Sequence, residues 1–76
     1  MKNIDKMTNE EITALVEQID DYTSELFNDI KRVRSDVKFL NENPNIVDFR
    51  RLIMVIGRVI ENAKDLEEIR NSVKLN

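Results

Sequence analysis

Three basic side chains, Lys31, Arg34 and Lys38, stand at i, i+3 and i+7, a spacing that sets them on one flank of a helix beside Phe27. Ammonium and guanidinium groups gathered in this way form a cradle for phosphate oxygens, and Arg50 and Arg51 are the residues that can join them across an assembly. The chemistry on offer is anion binding, with a nucleic acid or a nucleotide as the ligand class. Glu17 with Asp20 and Asp21, and Glu61 with Asp65, are the carboxylate groupings that can meet across a folded-back chain and hold Mg²⁺. Carboxylates spaced like this on an acidic helix are more often solubilising surface. The chain has no His and no Cys, one Tyr and one Gly, so zinc sites, nucleophilic catalysis and glycine-rich phosphate loops have no candidate residues. The expectation is a protein that is not an enzyme and carries no cofactor or metal.

The charges also have a purely structural reading. Residues 28–58 carry seven bases and four acids, whereas residues 1–27 carry two bases and seven acids and residues 59–76 three and four. If the chain folds back on itself near its proline, the loop end is basic and the free end acidic. Two such molecules packed head to tail then attract one another, and the basic flank sets their orientation. The overall charge of −3 argues against a dedicated duplex-DNA binder, which carries a basic excess.

The elements that must position these groups follow from apolar spacing. Leu52 to Ile60 holds seven large apolar residues in nine, too few to span a bilayer, which needs about 20. At 100° per residue the stripe from Phe49 to Leu66 covers an arc of roughly 160°, wider than one neighbouring helix covers. This helix is expected to meet a second copy through Phe49, Leu52, Ile53, Val55, Ile56, Gly57, Val59 and Ile60. Gly57 costs about 1 kcal/mol against alanine inside a helix, which a close backbone approach or a bend would offset.

Upstream, Thr8-Asn9-Glu10-Glu11 is a capping-box start. Ile12, Leu15, Ile19, Tyr22, Leu26, Ile30, Val33, Val37 and Leu40 then recur at three- and four-residue steps. Strict heptad spacing puts Asp29 in the seam; hydropathy puts Ile30 there instead, a slip of one residue that breaks a regular supercoil. Asn41-Glu42-Asn43-Pro44-Asn45 holds the breakers. Either Asn43 caps the second helix with Pro44 at its first position, or Asn45 caps it with Asp48 three residues on. A connection this short makes the helices antiparallel neighbours, with Ile53 set near Val33, Ile60 near Leu26, Leu66 near Ile19 and Gly57 near Ile30.

The expected architecture is all-α: a flexible tail over 1–7 and one helical-hairpin domain over 8–76, with helix 1 over about 9–41, a loop at 42–45 and helix 2 over about 46–73. The first helix alone is roughly 50 Å long, so the molecule is a rod. Seventy-six residues without disulfide or metal need reinforcement, which a homo-oligomer supplies; a dimeric four-helix bundle is expected. With no apolar signal core and no lipidation motif the expected location is cytoplasmic, with no membrane partner. By function the sequence suits a small adaptor, inhibitor or regulator that docks on a macromolecular partner, with anion binding as the alternative.

Overall fold

The computed structural model describes residues 2–75. Two long helices, α1 (Asn9–Glu42) and α2 (Ile46–Ser72), pack against each other as an antiparallel hairpin. The molecule is a rod of 53 × 17 × 16 Å. No helix among the described residues is long and apolar enough to cross a membrane.

Both helix starts are set by side chains that satisfy amides left open at a first turn. The Thr8 hydroxyl accepts from the Glu11 amide at 3.2 Å, and the Glu11 carboxylate accepts from the Thr8 amide at 3.2 Å. Of the two caps open in the sequence, Asn45 is the one used: its Oδ1 accepts from the Asp48 amide at 2.9 Å, and its Nδ2 donates to the Asp48 carboxylate. Asn43 instead closes α1, donating its amide to the Phe39 carbonyl at 2.8 Å.

The segment before α1 differs from expectation. The apolar spacing gave residues 1–7 no regular structure, yet Lys2–Asn3 form a short strand, β1, and Ile4–Lys6 a 3₁₀ turn. β1 pairs in parallel with β2 (Val73–Lys74), Lys2 opposite Val73 and Asn3 opposite Lys74. Lys2 also reaches the Glu11 carboxylate at 3.0 Å. A two-residue pairing carries no hydrophobic periodicity, which is why the sequence pattern did not reveal it.

The seam between the helices follows a heptad repeat. On α1 the protected residues include Leu15, Tyr22, Leu26, Asp29, Val33, Asp36 and Leu40; on α2 they include Leu52, Val55, Val59, Asn62, Leu66 and Ile69. These are the a and d positions that an antiparallel pair turns toward each other. The expected slip is therefore corrected: Asp29 is 5% exposed and Ile30 is 42% exposed. Geometry fixes which positions face the partner helix, and Asp29 is tolerated there because Arg58 of α2 neutralises it. Register is close to that expected from folding about the loop, but Leu52 and Val59 occupy the seam where Ile53 and Ile60 were expected. Among the described apolar residues only Leu52 and Val55 are buried, so the core of a single hairpin is thin.

Candidate interaction surface

In an antiparallel hairpin the e positions of both helices fall on one side of the seam and the g positions on the other. The e side is apolar. From α1 it presents Val16, Ile30 and Val37, with Phe27 beyond them at a b position; from α2 it presents Phe49 and Ile56, with Ile53 and Ile60 at b positions. All eight are exposed. Toward the free end Ile12 and Ile19, at the seam position that Leu26, Val33 and Leu40 occupy nearer the loop, are also exposed.

The residues expected at an interface between copies thus divide. Leu52 and Val55 are buried, and Val59 half-buried, in the hairpin's own seam, which withdraws them from any second contact. Phe49, Ile53, Ile56 and Ile60 remain open to solvent. The wide stripe of α2 therefore has two faces, one filled by α1 and one unfilled. Gly57 is a separate correction. It lies at an f position, away from α1, and a Cβ built on it meets nothing within 4 Å, so no close packing against another backbone offsets its cost within the hairpin.

The g side is polar. A groove of about 470 Å³ is lined by Glu25, Asn28 and Asp29 of α1 and by Arg58, Glu61 and Asn62 of α2. Arg58 donates to the buried Asp29 carboxylate. That hydrogen bond and the charge of Asp29, with a further contribution from Glu25, push the Arg58 pKa up against the opposing effect of burial. Arg51 is only 3.9 Å from Asp48 of its own helix, while Asp36 Oδ2 is buried with no hydrogen-bond partner. The Asp29–Arg58 pair was missed in the hydropathy pattern; continuing the heptad from Leu26 through residue 29 is the signal that finds it.

The basic flank sits beyond the apolar strip. Lys31 Nζ is 5.1 Å from the centroid of the Phe27 ring, within range of a cation–π contact. Arg34 and Lys38 line a shallow groove with Val33, Val37 and Asn41. Among the described residues none of Lys31, Arg34 and Lys38 is ion-paired. Arg50 and Arg51 do not join them within one hairpin: Arg50 is at an outward f position of α2 and Arg51 on the g side. The carboxylate groupings do not come together either, since no cluster of three or more acidic side chains among the described residues is placed to hold a metal.

At the free end, Glu11 is held below the usual glutamate value of 4.5, first by the hydrogen bond from Lys2 and then by that from the Thr8 amide.

The fold and surface define a helical hairpin with an exposed apolar strip on one side of its seam and a polar groove, holding the Asp29–Arg58 pair, on the other. No protein-family model matches the chain, no curated protein matches it, and no solved structure matches it.

Proposed function

We propose that this chain is a non-enzymatic interaction protein that self-associates through its e-side face, as a dimeric four-helix bundle, and in that form docks on a macromolecular partner. The observation that carries the self-association is surface area. A folded monomer of 9.0 kDa is expected to expose about 4,900 Å². The hairpin exposes 6183 Å², an excess of roughly 1,300 Å² against the ~800 Å² that each partner hides in a standard interface. The exposed residues that a second hairpin would cover are large and apolar, and they lie on one side of both helices.

Sedimentation or light scattering at low micromolar concentration should give twice the chain mass. A mass near 9.0 kDa with full helicity would refute the self-association. Ile53→Asp or Ile56→Asp should dissociate the protein, because each would bury an unpaired charge between copies. Recovery of nothing but the protein itself in a pull-down from the native cell would count against a further partner.

A second reading is favoured by the unpaired Lys31, Arg34 and Lys38: binding of a nucleic acid or nucleotide. On that reading Lys31→Glu with Lys38→Glu abolishes binding to a mixed oligonucleotide pool, affinity falls steeply with salt, and mass and helicity are unchanged.

A further inference from the structure

We infer that the second copy docks on the e-side face head to tail, with α1 lying antiparallel on α1 of the other copy and the basic loop end of each hairpin against the acidic free end of the other. The inference rests on the self-association proposed above and specifies its geometry. Two faces of this shape, 53 Å long and 17 Å wide, can be related by a two-fold axis in two ways. With the axis along the rod, the loops of both copies share one end and α1 lies over α2 of the other copy. With the axis across the rod, the loops lie at opposite ends and each helix lies over its own counterpart.

Charge separates these arrangements. Around the loop, residues 28–58 carry seven bases against four acids, and the two remaining segments together carry eleven acids against five bases. Loops at one end would stack basic on basic and acidic on acidic. Loops at opposite ends place each basic half over an acidic one.

The same holds residue by residue along the rim. An axis crossing the middle of α1 (Asn9–Glu42) brings Lys31 and Arg34 within a helical turn of Asp20 and Glu17 of the second copy. Lys31 and Arg34 flank the apolar face, and among the described residues neither they nor Glu17 and Asp20 have an ion partner. Both sets of charges are thus free to meet across the interface. Phe27, exposed at mid-rod, falls close to the axis and meets its own counterpart.

The chain has no cysteine, so Asn43→Cys gives one spin label per copy, at the loop. Head-to-tail packing puts the two labels of a dimer at a separation approaching the 53 Å length of the rod, whereas loops at one end put them at a separation comparable to its 17 Å width. Lys31→Glu with Arg34→Glu should weaken association about tenfold or more, since two rim contacts, each occurring twice by symmetry, change from attractive to repulsive. Adding Glu17→Lys with Asp20→Lys in the same chain should restore it.

A short label separation in a protein of dimer mass overturns the orientation and leaves self-association standing. A wild-type monomer overturns both. Unchanged association of the Lys31→Glu, Arg34→Glu protein, whether or not oligonucleotide binding is lost, overturns the orientation as argued from charge.

Discussion

Asp36→Leu should stabilise the protein. Asp36 stands at a seam position one heptad beyond Asp29, and its Oδ2 is buried without a hydrogen-bond partner. A buried polar atom left unsatisfied costs about 1–3 kcal/mol. Leucine there removes that cost and adds half-burial of an aliphatic side chain, about 1 kcal/mol more. A gain of about 1–3 kcal/mol remains after allowing for the water that reaches the other carboxylate oxygen. With a urea slope of about 1 kcal/mol/M for a chain of this size, the midpoint should rise by about 1 M or more with the slope unchanged. Far-ultraviolet circular dichroism at matched protein concentrations reads this directly. A lowered midpoint would refute the reasoning by revealing a partner for Asp36. The candidate is Arg51, which precedes Arg58 by seven residues as Asp36 follows Asp29 by seven. A double-mutant cycle with Arg51→Ala decides the point: additive changes agree with the structure, and coupling above about 0.5 kcal/mol contradicts it.

Gly57→Ala should raise the melting temperature by about 4–8 °C, since alanine recovers about 1 kcal/mol at an interior helix site and nothing lies within 4 Å of the new Cβ. A lowered melting temperature would mean that another backbone packs on Gly57 in the assembly. Glu11, whose folded pKa is depressed, contributes stability that is fully present above its unfolded value and is lost as pH falls through its folded one. Acidification below 4.5 should therefore destabilise the wild type more than Glu11→Gln, and Lys2→Ala should move the Glu11 carboxyl titration, followed by NMR, back toward 4.5. Equal acid sensitivity of wild type and Glu11→Gln would dismiss the Lys2–Glu11 contact as a determinant of stability.

Much of the architecture was legible because it rests on local rules. Thr8 with Glu11, and the breakers around Pro44, mark helix ends through groups any helix must satisfy, and they locate α1 and α2. The width of the α2 stripe is accounted for by two sets of residues, one packed on α1 and one exposed. What hydropathy could not assign was which residue serves which face. Ile53 and Leu52 are alike in character, yet one is exposed and the other buried, because a 3.5-residue repeat and not hydrophobicity decides what an antiparallel neighbour meets. Asp29 shows the same limit from the other side: its carboxylate is buried because Arg58, 29 residues away, is in register to neutralise it. The basic flank was visible as spacing, and its lack of internal partners became visible only once every nearby acid had been placed.

The antiparallel register also orders the hairpin in time. Between the helices the sequence separation of facing residues grows by two for each step away from the loop, from 29 at Asp29–Arg58, and the β1–β2 pair joins residues 71 apart, Lys2 opposite Val73. Closing each successive layer after its inner neighbour costs little extra loop entropy, so formation runs as a zipper outward from Asn43–Asn45. The parallel pair β1–β2 is the last layer to close and the first to open. Amide protons should accordingly exchange in a gradient, slowest around Leu52 and Val55 and fastest at the free end. The strand pair acts as a latch on the end of the rod where the helices are most easily drawn apart.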